Sequence, residues 1–200
     1  MTKNRNTEQK IFEAATQLFL EKGVDRTSVR DIANKAGINL ALMNYYFRSK
    51  ENLFDAIFSD LVKKNTRKLV EILDSELPLK EKVSTYVATY VDVLSNNPLL
   101  VSFVMSTLHR SMEKIKGMKD VSNLYSTNRF TQQVEEEIAR GTLRYTNAPH
   151  FFVDMLSLIA FPFAIKQLIM DRNQMDNAAF REFINQRKQH IPQMLLGPVS

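Results

Sequence analysis

The chain has 200 residues, of which 44% are hydrophobic and 24% charged, and its formal net charge is +5. That length suffices for a small domain plus a larger helical core, since domains typically run to about 50–250 residues. The absence of cysteine excludes disulfides and a thiol nucleophile and, without a secretory signal, predicts a cytoplasmic protein. The most apolar stretch, Phe151 to Ile169, has only about eleven uncharged residues between Asp154 and Lys166, fewer than the roughly twenty that span a bilayer.

The first helical pattern covers residues 7–22, and Gly23 closes it. Two shorter patterns follow and are joined at Gly37, which supplies a turn at low conformational cost. The first of these opens at a Thr27/Ser28 cap. Its apolar residues recur at the spacing of one helix face: Val29, Ile32, Ala33 and Ala36. The three patterns together predict a helix-turn-helix braced by the first helix.

The second short helix predicts the surface that meets a DNA groove. Asn39 is its expected cap, and Met43 and Phe47 fall four residues apart and should pack inward. The remaining residues should face outward, toward the groove: Leu40, Ala41, Asn44 and Tyr45.

The rest of the chain reads as consecutive helices without strand alternation. Ser49 caps a long linking helix over residues 51–76, Pro78 and Pro98 start the next two, and Gly117 limits the second of these. Three further helices are expected over residues 121–140, 149–171 and 176–194, and Pro162 should kink the helix that contains it. The sequence therefore predicts an all-α protein of about nine helices.

The segment VRDIANKAGI…NYYFRSKENLF resembles the N-terminal DNA-binding domain of the TetR family of bacterial regulators. The resemblance covers about the first quarter of the chain and rests on IA..AG, the YYF triplet and SKE.L at family spacing. It implies a three-helix DNA-binding domain over residues 1–50 and a helical effector-binding and dimerisation domain over residues 51–200. It further implies a homodimer that binds a palindromic double-stranded operator and is released by a small-molecule effector.

The charge distribution agrees with DNA binding by the first domain. Residues 1–50 carry nine Lys and Arg against five Asp and Glu, whereas residues 51–200 carry eighteen against seventeen. Clustered cations displace counterions from phosphates, so binding should depend on salt.

Specific DNA contacts follow from side-chain chemistry. Asn44 can pair with both N6 and N7 of adenine, a contact worth about 1–3 kcal/mol of discrimination. Arg30 can reach a phosphate or a guanine edge. Apolar side chains at the start of the second short helix can touch a thymine methyl group; these are Leu40, Ala41 and Leu42.

Other residues are expected to contact the DNA backbone. Tyr45 and Tyr46 can donate hydroxyl groups to phosphate, Lys50 adds a cation, and Ser28 with the first turn of its helix can bind a further phosphate. For Tyr46 the alternative is a ring packed against the linking helix.

A two-fold operator requires a dimer, and the resemblance implies a four-helix bundle built from the last two helices of each subunit. The alternative is that their apolar residues form ordinary core. The expected interface residues are Phe152, Leu158, Ile159, Phe163, Phe180, Phe183 and Ile184.

The resemblance also implies an effector pocket among the central helices. Met and Phe adapt to irregular apolar ligands, which favours a lipophilic or aromatic effector. Ordinary core packing is again the alternative. The candidate lining residues are Phe103, Met105, Leu108, His109, Phe130 and Met155.

Catalysis, metal binding and a cofactor have no support in the sequence. His109, His150 and His190 are scattered, Glu135 to Glu137 reads as a solvated run, and no HExxH, P-loop or glycine-rich fingerprint occurs. Two alternatives to an effector-released repressor stay open. In one, the second domain docks another protein. In the other, weaker one, the protein binds a membrane surface, although its basic charge and its apolar stretch lie in different domains.

Overall fold

The computed structural model describes residues 2–110 and 127–197, with side chains for residues 6–107 and 127–197. These ranges contain ten helices and no strand, which confirms the all-α prediction. In chain order the helices are α1 (Thr2–Lys22), α2 (Val29–Ala36), α3 (Leu40–Phe47), α4 (Lys50–Leu73), α5 (Leu79–Asn96), α6 (Leu100–Arg110), α7 (Asn128–Ala139), α8 (Ala148–Ala164), α9 (Lys166–Arg172) and α10 (Asn177–Leu196). The expected limit at Gly117 and the start of the helix over residues 121–140 lie outside the described residues.

The described chain forms two compact units. The first comprises residues 2–64 and 103–110, and the second comprises residues 65–102 and 127–197. The boundary expected after residue 50 therefore falls at the start of α4, whose first fifteen residues (50–64) belong to the first unit.

In the first unit α1 packs on α2, and α2 packs on α3. The apolar stripe of α1 is fully inside this unit; its buried residues are Ile11, Ala14, Ala15, Leu18 and Phe19. Between α1 and α2, the buried Thr27 hydroxyl donates to the carbonyl oxygen of Gly23 at 2.8 Å. The loop is thereby held against the end of α1.

In the second unit α5 is central. α10, α8 and α7 all pack against it. Its buried face recurs every three or four residues, as expected of a helix that other helices cover; it consists of Leu79, Lys82, Val83, Tyr86, Val87, Val91 and Leu94. Lys82 is the one charged residue on this face.

The single helix expected over residues 149–171 is instead two helices, with α8 ending at Ala164 and α9 beginning at Lys166. The two axes differ by 67°. Pro162 lies inside α8, where it lacks the N–H that would donate to the carbonyl of Leu158. The Nη2 of Arg187 on α10 donates to that oxygen instead, at 2.7 Å.

No single described helix is both long and apolar enough to cross a membrane. Only α8 and α9 taken together reach that length and composition, and the bend separates them.

Candidate nucleic-acid interface

The start of α2 is fixed by reciprocal hydrogen bonds between Ser28 and Asp31. The Ser28 hydroxyl oxygen accepts from the backbone N–H of Asp31 at 3.1 Å, and the Asp31 carboxylate accepts from the Ser28 N–H at 2.8 Å. The Ser28 hydroxyl also donates to the Asp31 carboxylate, at 2.7 Å. This bond and the bond from the Ser28 N–H lower the pKa of Asp31 below its usual value of 3.8. The Ser28 hydroxyl, which the sequence predicts to bind a phosphate, is therefore already engaged in the helix cap.

The turn between α2 and α3 follows the sequence prediction. Gly37 has φ 65° in the left-handed region, and the N–H of Ile38 donates to the carbonyl of Ala33 at 3.0 Å. Asn39 caps α3, with its side-chain oxygen accepting from the N–H of Ala41 at 2.9 Å. Both ends of the turn therefore set the direction of α3.

The two faces of α3 differ sharply in exposure. Met43 is 0% exposed, whereas Tyr45 is 72% exposed. Phe47, expected to be inward, is half-buried. The rest of the expected outward set is exposed, namely Leu40, Ala41, Leu42 and Asn44. Met43 therefore faces the core, and a surface of apolar, amide and phenol groups faces solvent.

Tyr45 and Tyr46 lie next to each other at the end of this surface. Their ring centroids are 5.2 Å apart and the rings meet edge to face. Tyr46 is half-buried. It therefore shares features of both sequence interpretations, a ring held by packing and a phenol near the DNA-facing side.

Lys50, the first residue of α4, is turned toward the loop between α1 and α2. Its ammonium group donates to the carbonyl oxygens of Val24 and Thr27, each at 3.1 Å. Two of its three N–H groups thus serve the fold. Arg30, on α2, has an exposed side chain.

The first unit contains a cluster of four phenylalanines. Phe54 on α4 lies 6.0 Å from Phe19, 6.0 Å from Phe58 and 5.8 Å from Phe103, measured between ring centroids. Phe58 and Phe103 are 5.9 Å apart. Phe103, a predicted pocket residue, is thus part of the core of the first unit. Its partners are some fifty residues away in sequence, so no local pattern could identify them.

The other predicted pocket residues are placed separately. Met105 is exposed on α6, whereas Phe130 and Met155 are buried in the second unit. Phe130 lies 5.9 Å from the Phe151 ring. The side chains of Leu108 and His109 lie outside the described residues.

The predicted dimer residues fall into two groups. Four are buried within the chain's own second unit: Ile159, Phe163, Phe180 and Ile184. The other three are half-buried, namely Phe152, Leu158 and Phe183. The four buried residues have little surface to offer a partner subunit.

Sequence reasoning missed the apolar residues that do reach the surface of the last helices. These are Val153 and Phe161 on α8, Leu168 on α9 and Met194 on α10, and Phe161 is 61% exposed. Val153 and Phe161 are eight residues apart on α8, a spacing that helical periodicity alone could have revealed, whereas Leu168 lies beyond the bend on α9. We call Val153, Phe161 and Leu168 the outer apolar stripe.

No cluster of three or more His, Cys, Asp or Glu side chains suited to a metal ion occurs among the described residues. The geometry instead defines a class: a helix-turn-helix protein whose second helix presents an exposed polar and apolar face, a surface suited to a DNA groove.

Comparison with known proteins identifies the family. Residues 11–57 match the family described as bacterial regulatory proteins, tetR family. The chain is 36% identical to the uncharacterized HTH-type transcriptional regulator YhgD of Bacillus subtilis, over 67% of this chain and 70% of that protein. It is 27% identical to the probable HTH-type transcriptional regulator YttP of the same organism, over 83% of this chain and 81% of that protein. The chain belongs to the TetR family of bacterial transcriptional regulators.

The fold is shared with the transcriptional regulator FadR from Bacillus subtilis, solved in complex with stearoyl-CoA. The TM-score is 0.64 and the identity 15%, over 96% of this chain and 99% of that one.

Proposed function

We propose that this regulator is a homodimeric repressor in the cytoplasm that binds a palindromic operator through α3 and leaves it when a small apolar effector binds. The observation that carries the proposal is the contrast within α3. Met43 is fully buried while Asn44 and Tyr45 next to it are exposed, so the helix is fixed from behind and free in front.

Asn44 is the residue we assign to base reading. It is exposed in the second turn of α3, directly after the buried Met43. Its amide can donate to N7 and accept from N6 of adenine. An amide that was buried, or already hydrogen-bonded to a backbone carbonyl, could not make this pairing. Leu40, Ala41 and Leu42 flank it with apolar surface for thymine methyl groups.

Selection of bound sequences from a random DNA pool tests operator binding. We expect two inverted half-sites whose centres lie one helical turn, about 34 Å, or a multiple of it apart. Asn44→Ala should lose preference for this site by about tenfold or more while retaining weak binding to unrelated DNA. Asn128→Ala makes the same change on the exposed start of α7 and serves as control. Equal loss on all sequences would contradict base reading by Asn44.

The outer apolar stripe is the surface that we assign to the dimer. A row of exposed Val, Phe and Leu side chains on two consecutive helices is typical of a surface that a partner covers. Phe163 is 6% exposed, so a charged residue there would disrupt the core instead of testing the interface.

Phe161→Asp should therefore give folded monomers by light scattering. Leu99→Asp, which places the same charge on another exposed apolar position, should stay dimeric. A dimeric Phe161→Asp variant would move the interface elsewhere and would favour the alternative in which this face docks another protein.

Effector release is proposed to act through α4. This helix begins at Lys50, which is tied to the loop before α2, and it carries Phe54 and Phe58 in the phenylalanine cluster. A shift of α4 would therefore displace the elements that hold α3. Since binding of effector and of operator would then be negatively coupled, each should weaken the other by the same factor. The acyl ligand of FadR supports an apolar effector.

A further inference from the structure

Lys82 is the least expected residue in the core of the second unit. It lies on the buried face of α5 and is 0% exposed. Its ammonium nitrogen is buried and has no hydrogen-bond partner among the described residues. A lysine in this state is costly, because removing an ammonium group from water without pairing it carries a penalty of several kcal/mol.

A second buried polar atom near this end of α5 is also without a partner. The side-chain nitrogen of Gln133 on α7 donates to the carbonyl of Leu77 at 3.1 Å. This bond fixes the orientation of the amide, because a carbonyl can only accept. The remaining oxygen of Gln133 is buried and has no partner among the described residues.

The charges around Lys82 do not neutralise it by contact. Glu76 pairs instead with Arg129 of α7, one turn before Gln133. Burial lowers the pKa of Lys82, and the Arg129 charge lowers it further, while Asp74 and Glu76 act in the opposite direction. A donor and an acceptor are therefore both left unsatisfied where the start of α5 meets α7.

Apolar side chains are buried on the same two helices. Val83 follows Lys82 on the buried face of α5, and Phe130 and Val134 are buried on α7. A ligand that satisfied Lys82 would need an anionic oxygen joined to an apolar body. Buried polar atoms without a partner are unusual in folded proteins and are commonly explained by a missing partner.

We propose that Lys82 binds the carboxylate of an amphipathic effector whose apolar body lies among the buried side chains of α5 and α7. One ammonium group matches one carboxylate, whereas a phosphate dianion would leave a negative charge unpaired. The free oxygen of Gln133 would accept from a hydroxyl or amide N–H on the same molecule. This inference rests on the proposed function as an effector-released repressor.

The stability of the unliganded protein gives a first test. Lys82→Met keeps the length of the side chain and removes the unpaired amine, so we expect the melting temperature to rise by about 2–4 °C. Lys80→Met changes an exposed lysine of the same helix and should shift it by less than about 1 °C. A lower melting temperature for Lys82→Met would show that the amine has a structural partner, and would overturn the proposal.

Calorimetric titration of the full-length protein with hexanoate, decanoate and tetradecanoate, and with the matching alcohols, gives the second test. We expect at least one acid to bind wild type about ten- to a hundredfold more tightly than its alcohol, the range of a charge-assisted hydrogen bond. Lys82→Met should bring that acid to the level of the alcohol, and Lys80→Met should not. The comparison of acid with alcohol on wild type holds even if Lys82→Met does not fold.

Operator binding, followed by fluorescence anisotropy, separates this inference from the proposed function. If acid and alcohol bind equally and both release the operator, the carboxylate site is overturned and the effector-released repressor stands. If no probe binds, the carboxylate site is overturned as well, while specific operator binding without ligand still supports the regulator. Failure to bind any operator would instead overturn the proposed function.

Discussion

The two units of this regulator hold their helices together in different ways. In the first, two helices of eight residues are fastened at their ends by polar groups, including the Ser28 and Asp31 pair and the ammonium group of Lys50. In the second, helices of up to twenty residues are held by apolar faces, and α10 and α8 cover α5 along its length. Helices as short as α2 and α3 are marginal on their own, so their caps matter more.

The two units should therefore lose stability to different kinds of substitution. In the first unit polar substitutions at the ends of α2 and α3 should lower the stability measurably, because helices of eight residues depend on their caps. In the second unit polar groups matter where a proline has removed a backbone donor.

Met43→Ala should have the largest effect, a loss of about 2–5 kcal/mol in the free energy of unfolding, because it removes a fully buried side chain from α3. Leu42→Ala, next to it on the exposed face, should change stability by less than about 0.5 kcal/mol. Urea denaturation measures both. Similar losses for the two variants would mean that the faces of α3 are not distinct.

Lys50→Met should lower the free energy of unfolding by about 1.5–3 kcal/mol, since it removes charge-assisted hydrogen bonds to the carbonyls of Val24 and Thr27. Lys63→Met, on the exposed side of the same helix, is the matched control. The salt dependence of DNA binding adds a separate readout. If the slope of log affinity against log salt falls by about one, the third N–H of Lys50 also contacts a phosphate. An unchanged free energy of unfolding would contradict the structural role of Lys50.

Arg187→Met should cost about 1–3 kcal/mol, because the carbonyl of Leu158 then has neither the missing N–H of Pro162 nor the guanidinium group. Pro162→Ala restores a backbone donor. In that background Arg187→Met should cost less, with a coupling energy of about 0.5–3 kcal/mol in a double-mutant cycle. Additive effects would show that Arg187 does not replace the proline's missing donor.

Ser28→Ala should cost about 0.5–2 kcal/mol as a lost helix cap. Asn147→Ala removes a cap from the longer α8, where the side-chain oxygen accepts from the His150 N–H at 3.0 Å, and should cost less. The stabilisation due to the lowered pKa of Asp31 is present above pH 3.8 and is lost as the pH falls through that lowered value. The difference between wild type and Ser28→Ala should therefore narrow in acid. A constant difference would contradict the contribution of the Asp31 charge.

The helix-turn-helix was predictable because its signals are local. Gly37, Asn39 and the spacing around Ile32 each act within four residues, and the structure has all three as expected. The role of Phe103 was not predictable, since its aromatic partners on α4 are distant in sequence. Periodicity also locates helix faces without telling which face the chain covers itself. That is why Phe163 and Ile184 were expected at a dimer interface but lie in the core.

The burial of Lys82 had no local signal, and Pro162 predicted a kink without indicating that the helix would end at Ala164. Ile165 is an ordinary helix residue, and the bend follows Pro162 by three positions. Lys82 falls on the apolar stripe of α5. From the sequence pattern alone, a charged residue is expected at the edge of such a stripe and not inside the core. Both features depend on how neighbouring helices pack against these positions.

The exposure pattern of α3 also bears on how such regulators diverge. The residues that we propose to select DNA and the residue that packs α3 into the core are different side chains, because Met43 alone is buried on this helix. Substitutions at Leu40, Leu42 or Asn44 can therefore alter the recognised sequence at little cost in stability, which most core changes exceed. After gene duplication, one copy could acquire a new operator through a few such changes while its fold, and the rest of its regulation, stayed inherited.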